Sequence, residues 1–336
     1  MSSVKNVAVV GATGAVGRET IRVLEQRRFP VGELRLFASP RSAGMTVPFA
    51  GREVPVRALE CVPAEFEGID LVLVSAGGAV SRRVCPVAAA AGATVIDKSS
   101  VFRMEPDVPL VVPEVNPQAI RRRPRGIVAN PNCATIQLVV AVAPLHRAAG
   151  IRRMVVSTYQ SASGAGEKGR AELEADTRAF LEGRAPVQST FARPLGFNCV
   201  PLIDRLLDDG STFEERKTVE ETRKILEAPA LRIAATTVRV PVLVGHSAAV
   251  FLELERPLAP EEAWAELCRA PGVVVVDEPS VGKVPTPRDA AGTDAVYVGR
   301  IRRDPSVEHG LALWVVADNL RKGAATNGVQ IAELLL

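Results

Sequence analysis

The segment VAVVGATGAVGRETIRVL, residues 7–24, places three glycines between an apolar run and a stretch of helical composition. Their spacing is G-x-x-G-x-x-G, a variant of the dinucleotide-binding fingerprint. Glycines permit a tight turn and a close approach of the backbone to a pyrophosphate, and the following helix offers free N–H groups at its start. A glycine-rich turn without a ligand would share this spacing, but the strand–loop–helix context favours a nucleotide site. The predicted cofactor contacts are Gly11, Ala12, Thr13, Gly14, Ala15, Val16 and Gly17.

The same alternation of short apolar runs and helical stretches continues to about residue 130. The runs 7–10 and 71–74 are continuously apolar, as in strands buried on both faces. Strand–helix–strand order predicts a doubly wound parallel sheet of the Rossmann type. The predicted strands are 7–11, 34–39, 71–77, 94–100 and 126–130, and the predicted helices are 15–28 and 80–92.

After about residue 150 the pattern changes to strands in succession with helices between them. This order predicts an α+β domain with a mainly antiparallel sheet. The predicted strands are 152–160, 233–242, 247–255, 272–278 and 297–304, and the predicted helices are 167–182, 213–227 and 260–270.

The last stretch, residues 319–336, reads as an apolar helix that needs a surface to cover, so we expect it to return to the first domain. A length of 336 residues suits two domains. We expect one domain of residues 1–132 with 319–336, and a second of residues 133–318.

Composition and charge exclude several classes of protein. The net charge is only +3, and the one basic cluster, at residues 121–125, is short, broken by proline and without interleaved aromatics. We interpret it as a solvated turn, not a nucleic-acid site. The five cysteines form no C-x-x-C pair and there are three histidines, so the sequence predicts neither a metal site nor a disulfide framework.

The start of the chain reads as a strand rather than a signal peptide, and no apolar stretch is long enough to cross a membrane. We therefore expect a cytoplasmic protein with no membrane partner.

The second predicted strand bears on the choice of cofactor. An NAD site usually places Asp or Glu about 20 residues beyond the glycines. Here the strand ends in FASPRSAG, which offers Ser39, Arg41 and Ser42 instead. An arginine flanked by hydroxyls suits a 2′-phosphate, although a polar loop without a ligand would look the same. The pattern favours NADP over NAD.

The stretch ANPNCATIQLVV, residues 129–140, sets a cysteine at the expected start of a helix. Pro131 ends a strand and Asn132 is a good N-cap, so Cys133 would lie in the first helical turn. A helix N-terminus lowers a thiol pKa and favours the reactive thiolate. Most buried cysteines are inert, however, and this local pattern supports a nucleophile and a packing residue equally.

Several motifs together resemble the aspartate-semialdehyde dehydrogenase family: NPNCATIQ, STYQSASGAG, SSVFRM, RVPVLVGHS and DNLRKGAATNGVQIAE. The resemblance covers essentially the whole chain. It implies a Rossmann domain and an α+β catalytic and dimerisation domain, assembled as a homodimer. It also implies reduction of aspartyl-4-phosphate to aspartate semialdehyde and phosphate with NADPH, on the route to lysine, diaminopimelate, threonine and methionine.

The resemblance also assigns roles to individual residues. Cys133 resembles the nucleophile that forms an acyl-thioester, and Gln160 resembles the amide that positions the substrate. His246 resembles the general acid/base, a role that suits the near-neutral pKa of an ordinary histidine. The implied substrate contacts are Arg239 for the carboxylate, Glu214 for the α-ammonium, Arg103 and Lys217 for the phosphate, and Asn132. The implied cofactor contacts on this side are Ser163, Gly164 and Asn319.

Local patterns modify two of these assignments. Strict alternation would place Arg239 and His246 on opposite faces of one strand, but Pro241 and Gly245 should break that strand and let both turn inward. The segment STFEERKTVEE opens a helix with a capping box, so Glu214 and Lys217 could equally be residues that stabilise the helix.

Three alternatives remain. N-acetyl-glutamyl-phosphate reductase has glycine before the cysteine and tyrosine after it, whereas this chain has Asn132 and Ala134. Glyceraldehyde-3-phosphate dehydrogenase has a Ser/Thr-rich cysteine loop and prefers NAD. A non-catalytic paralogue would lack the cysteine or the histidine, and both are present here.

Overall fold

The computed structural model describes residues 3–336, which divide into two compact units. The first unit comprises the chain up to Asn132 together with Ala324–Leu336, and the second comprises Cys133–Gly323. The first unit contains a seven-stranded sheet and the second a six-stranded sheet. The predicted fold class, a Rossmann-type sheet plus an α+β domain, is confirmed.

The elements follow one another in chain order. The strands are β1 (Lys5–Val10), β2 (Val31–Ala38), β3 (Thr46–Phe49), β4 (Arg52–Ala58), β5 (Leu71–Val74), β6 (Thr94–Asp97), β7 (Ile127–Ala129), β8 (Ile151–Gln160), β9 (Arg232–Arg239), β10 (His246–Leu254), β11 (Val273–Val275), β12 (Val296–Asp304) and β13 (Gly310–Ala317). The α-helices are α1 (Ala15–Gln26), α2 (Gly78–Ala90), α3 (Cys133–Ala149), α4 (Gly166–Leu181), α5 (Phe213–Ile225), α6 (Pro260–Arg269), α7 (Pro287–Ala290) and α8 (Thr326–Glu333).

The sheet of the first unit has the order β3-β4-β2-β1-β5-β6-β7. All neighbouring strands are parallel except β3 and β4, which form an antiparallel hairpin at one edge. The apolar runs of β1 and β5 are buried, as their sequences predict. Because β2 and β5 flank β1 on opposite sides, their connections leave β1 in different directions and open a crevice at the carboxyl end of β1.

The β3–β4 hairpin was not predicted from the sequence. Pro48 lies in the edge strand β3, where proline is tolerated, and Pro55 of β4 comes just before Val56, the first residue of β4 that pairs with β2. Its turn uses Ala50 and Gly51, both with positive φ, in place of the Asn-Gly pair that usually identifies such a turn.

The end of the chain packs into the first unit. Val329, Ile331 and Ala332 of α8 belong to the same apolar cluster as Ile21 and Leu24 of α1. The carboxylate of Glu333 also accepts two hydrogen bonds of 2.7 Å from the guanidinium of Arg27.

The sheet of the second unit has the order β11-β12-β13-β10-β8-β9. Its central pairs β12–β13, β13–β10 and β10–β8 are antiparallel, whereas β11–β12 and β8–β9 are parallel. The apolar helix α3 packs on one face of this sheet and is buried from Ala134 to Leu145. Strand β13 is absent from our predictions, although its run LALWVVA is as apolar as that of β1.

Within residues 3–336, no helix combines the length and apolar character needed to cross a membrane. The same residues include no group of three or more His, Cys, Asp or Glu side chains placed to hold a metal ion.

Candidate active site

The glycine loop closes tightly between β1 and α1. Gly11 has a φ of +85°, and a Cβ there would lie 2.6 Å from the carbonyl oxygen of Ser75. A Cβ at Gly17 would collide with the carbonyl oxygen of Gly11, so both positions require glycine. Helix α1 starts with Ala15 and Val16 and has no side-chain N-cap, which leaves its first N–H groups open to an anion.

A cavity of about 300 Å³ adjoins this loop in the first unit. Gly11, Thr13 and Ser39 line one side, while Leu59 and Val84 give it apolar walls. That size is at the lower end of the range for small-molecule sites, and an apolar slot beside a phosphate-binding loop fits the adenosine end of a dinucleotide.

The loop after β2 adjoins the glycine loop. The hydroxyl of Thr13 donates a 3.2 Å hydrogen bond to that of Ser42. Arg41 is exposed on the short turn Pro40–Ser42. A second arginine, Arg83 of α2, lines the cavity, and no sequence pattern pointed to it.

Lys98 follows β6 and was also not singled out from the sequence. Its ammonium donates hydrogen bonds to the hydroxyls of Thr20 at 2.6 Å and Ser75 at 3.2 Å. Burial lowers the pKa of Lys98 to about 7, and the nearby charge of Asp97 only partly opposes this. Gly328 leaves room for the lysine, since a Cβ there would lie 2.7 Å from its Cε.

Arg103 and Asn132 are buried in the first unit. The Arg103 guanidinium donates to the carbonyl oxygens of Asn130 at 3.0 Å and Lys98 at 2.8 Å. Asn132 directly precedes α3. The other residue predicted to bind phosphate, Lys217, belongs to the second unit.

Cys133 is the first residue of α3 and is partly exposed, whereas the next residues of the helix, from Ala134 to Leu145, are buried. Gly323 packs against it, because a Cβ at Gly323 would lie 2.9 Å from the Cβ of Cys133. Gly323 belongs to a π-helical turn, Arg321–Ala325, in which its N–H donates to the carbonyl of Asp318 at 3.0 Å. Such turns are frequent at functional sites, and a glycine inside a predicted helix was the available signal.

His246 is fully buried at the start of β10. Its Nδ1 accepts a 3.0 Å hydrogen bond from the backbone N–H of Ser161, so the neutral ring carries its proton on Nε2. That Nε2 has no hydrogen-bond partner within residues 3–336. Burial, reinforced by the positive charge of Arg239, lowers the pKa of His246 to about 3. The expectation of a near-neutral pKa for this histidine is therefore wrong.

Arg239 ends β9 and is buried, with Nη1 donating a 2.7 Å hydrogen bond to the carbonyl of Ser161. Gly164 lies beside both basic groups, because a Cβ there would lie 2.6 Å from Nη1 of Arg239 and 3.1 Å from Cε1 of His246. The strand break between the two residues, with Gly245 at a φ of +96°, lets both turn inward as predicted.

Gln160 and α5 share a chain of polar contacts. The buried amide of Gln160 donates a 3.0 Å hydrogen bond to the Glu214 carboxylate. The Lys217 ammonium lies 2.7 Å from the same carboxylate and 3.0 Å from that of Asp204. The predicted capping box is also present, so α5 has its stabilising residues in addition to Glu214 and Lys217.

Asn319 organises the loop after β8. Its Oδ1 accepts hydrogen bonds from the hydroxyls of Ser163 at 2.8 Å and Ser161 at 3.1 Å, and from the N–H of Gly245 at 3.0 Å. Ser161 thus contacts Asn319, His246 and Arg239, a connecting role that no local sequence pattern indicated.

A thiol at a helix start and a neutral imidazole, a guanidinium and an amide within the same unit are the groups needed for covalent acyl transfer. With a nucleotide-binding Rossmann unit in the same chain, they define an NAD(P)-linked oxidoreductase that acts on a carbonyl compound.

Comparisons with known proteins identify the family. Residues 6–123 match the family model described as semialdehyde dehydrogenase, NAD binding domain, and residues 142–322 match the one described as semialdehyde dehydrogenase, dimerisation domain. The aspartate-semialdehyde dehydrogenase of Aquifex aeolicus is 52% identical over 332 residues, which cover 98% of this chain and 97% of that protein. The chain belongs to the aspartate-semialdehyde dehydrogenase family.

Solved structures agree with this membership. The crystal structure of aspartate semialdehyde dehydrogenase II from Vibrio cholerae, complexed with ASA, has a TM-score of 0.96 at 49% identity and covers 99% of this chain and 98% of its own. The structure of aspartate semialdehyde dehydrogenase with NADP from Candida albicans has a TM-score of 0.78 at 28% identity, covering 99% of this chain and 98% of its own.

Proposed function

We propose that the protein catalyses the NADP-dependent, phosphorylating oxidation of aspartate semialdehyde, and that in the cell it runs in reverse to reduce aspartyl-4-phosphate for lysine, threonine and methionine synthesis. The observation that carries the proposal is Cys133 at the start of α3, in the same unit as Gln160, Arg239 and His246. The full-length similarity to aspartate-semialdehyde dehydrogenases supports it.

Cys133 is the nucleophile. Its sulfur attacks the acyl carbon of aspartyl phosphate, phosphate leaves, and an acyl-thioester remains on the enzyme. Bound NADPH would supply the hydride that reduces this thioester, and the sulfur of Cys133 would then leave as the thiolate to release aspartate semialdehyde. The helix N-terminus at Cys133 favours the thiolate form of the attacking sulfur.

His246 acts at the oxygen of the reacting carbon. Since Nδ1 accepts the Ser161 N–H, the proton on Nε2 is available to a partner from the substrate. A hydrogen bond from Nε2 would stabilise the negative oxygen of each tetrahedral intermediate. The low pKa keeps the ring neutral at physiological pH, so its one N–H, on Nε2, is the group that donates to the substrate oxygen.

The remaining side chains hold the substrate. Arg239 binds its carboxylate with the paired N–H groups that only arginine offers, and Gln160 positions the acyl group. Glu214 meets the α-ammonium. Although burial opposes it, the carboxylates of Glu214 and Asp204 raise the pKa of Lys217, so that this lysine is cationic. Lys217, with Arg103 and Asn132, binds the phosphate.

Two observations support NADP as the cofactor bound by the first unit. The loop after β2 offers Ser39, Arg41 and Ser42 to a 2′-phosphate, and the adjoining cavity has apolar walls for a base. The relative from Candida albicans was solved with NADP. The proposed contacts to the nicotinamide end of NADP are Ser163, Gly164 and Asn319.

We assign the homodimer contact to the face of the second sheet opposite α3. Tyr159 and Phe251 are exposed there, and the rings of Tyr159 and Trp314 lie 5.3 Å apart. The matching family model is described as a dimerisation domain. Sedimentation should show a dimer that Phe251→Asp converts to a monomer; a wild-type monomer would contradict the assignment.

The activity is tested with purified protein, aspartate semialdehyde and NADP, with and without phosphate. We expect phosphate-dependent NADPH formation that is abolished in Cys133→Ala. N-acetylglutamate semialdehyde and glyceraldehyde 3-phosphate serve as alternative substrates, and a preference for either would overturn the proposal. So would equal activity in Cys133→Ala.

A further inference from the structure

Two buried carboxylates, Glu172 and Asp176, lie one turn apart on the same side of α4. Residues four apart on a helix share a face. Ionised side chains are rarely buried unless they are paired or hydrogen-bonded, so the partners of these two indicate what they do.

Their partners are backbone and hydroxyl groups of residues 187–196, here called the anchored segment. Glu172 accepts hydrogen bonds from the backbone N–H groups of Ser189 at 3.0 Å, Thr190 at 2.6 Å and Phe191 at 3.2 Å, and from the Ser189 hydroxyl at 2.6 Å. Asp176 accepts from the N–H groups of Val187 at 3.0 Å and Gly196 at 2.6 Å. Through these hydrogen bonds, the two carboxylates hold both ends of the anchored segment against α4.

Glu172 is ionised when it makes these contacts. Burial alone would raise its pKa, but hydrogen bonds from Ser189, Thr190 and Phe191 outweigh it and the pKa is lowered. A carboxylate accepts hydrogen bonds at both oxygens, whereas an amide would present an N–H₂ group to one set of these donors.

The anchored segment places Phe191 against the site. The carbon at the centre of the Arg239 guanidinium lies 5.7 Å from the centroid of the Phe191 ring. The ring also packs against the buried apolar cluster of Ala162, Leu173, Leu195 and Val200, and a Cβ at Gly169 would lie 3.0 Å from its Cζ. Phe191 is thus held between α4 and the arginine.

Arg239 needs such a contact. Within residues 3–336 its guanidinium makes one hydrogen bond, from Nη1 to Ser161, which leaves most of its donors for a ligand. A single hydrogen bond does not fix the plane of a guanidinium, whereas an aromatic ring in contact restricts it through packing and cation–π attraction.

We propose that Glu172 and Asp176 are positioning residues, which hold Phe191 against Arg239 through the anchored segment and so orient the guanidinium for the substrate carboxylate. This inference rests on the proposed function, in which Arg239 binds that carboxylate.

The test compares Glu172→Gln with Glu174→Gln, a matched change at an exposed position of the same helix. We expect Glu172→Gln to raise the KM for aspartate semialdehyde about tenfold, with kcat within about twofold and the KM for NADP unchanged, because binding of one group is weakened. Phe191→Leu, which keeps the apolar contact and removes the ring, should show the same split. Glu174→Gln should match the wild type.

Hydrogen exchange gives a second readout that does not depend on activity. The amides of Ser189, Thr190 and Phe191 should exchange faster in Glu172→Gln than in the wild type or Glu174→Gln. If these amides exchange at the wild-type rate in Glu172→Gln, Glu172 does not anchor the segment. If they exchange faster but the KM for aspartate semialdehyde is unchanged, the anchored segment does not orient Arg239. A wild-type protein that is inactive but shows the expected exchange pattern would instead overturn the proposed function. The role of Glu172 and Asp176 in substrate binding would then be overturned as well.

Discussion

The backbone N–H of Ser161 donates a 3.0 Å hydrogen bond to Nδ1 of His246. The loop that follows β8 therefore determines which nitrogen of a buried histidine on β10 carries the proton. Because Ser161 also accepts from Arg239 and donates to Asn319, one short loop fixes the orientation of three of the side chains to which we assign roles.

The lowered pKa of His246 predicts a dependence of stability on pH. The unfolded histidine titrates near 6.5 and the folded one near 3, so the unfolded chain takes up a proton first as the pH falls. The stabilisation is fully present above the unfolded pKa and is lost as the pH falls from 6.5 towards 3. Between about pH 7 and pH 5 the wild type should lose about 2 kcal/mol more free energy of unfolding than His246→Asn. Urea unfolding at the two pH values measures this, and parallel losses would contradict it.

Gly164→Ala should impair substrate binding more than folding. The added methyl group would lie 2.6 Å from Nη1 of Arg239 and 3.1 Å from Cε1 of His246, so the end of the arginine side chain, the more flexible of the two, must shift away from its position. We expect the KM for aspartate semialdehyde to rise about tenfold, with a melting temperature within about 3 °C of the wild type. An unchanged KM would show that the position of Arg239 does not govern binding.

Arg41→Ala should reduce the preference for NADP over NAD. A charge-assisted contact to the 2′-phosphate has no counterpart in NAD, so the KM for NADP should rise by about tenfold or more while that for NAD changes little. Arg52→Ala, at an exposed position of the same unit, is the matched control. A parallel change in both KM values would show that Arg41 does not read the 2′-phosphate.

The features of the fold and of the site that depend on local sequence patterns could be predicted from the sequence. The buried runs of β1 and β5, the glycine loop and the helix start at Cys133 follow from residues close together in the chain. The features that could not be predicted depend on contacts between residues that are far apart in the chain. Ser161 and His246 are 85 positions apart, and the contact of Phe191 with Arg239 depends on a segment held by another helix.

The pKa of His246 could not be predicted from sequence for a similar reason. Its value depends on complete burial and on the position of the Arg239 charge, and neither is visible in the motif RVPVLVGHS. The capping box on α5, by contrast, was predicted correctly from local sequence. It is present in the structure together with the hydrogen bond from Gln160 to the neighbouring Glu214.

The central claim is that Cys133 carries the acyl group, and mass spectrometry tests it most directly. The protein is mixed with aspartate semialdehyde and NADP in the absence of phosphate, quenched in acid and digested. We predict one aspartyl acyl group on the peptide that contains Cys133, absent from Cys133→Ser and discharged when phosphate is added. Phosphate-dependent NADPH formation without an adduct, or with the adduct on another residue, would contradict the account.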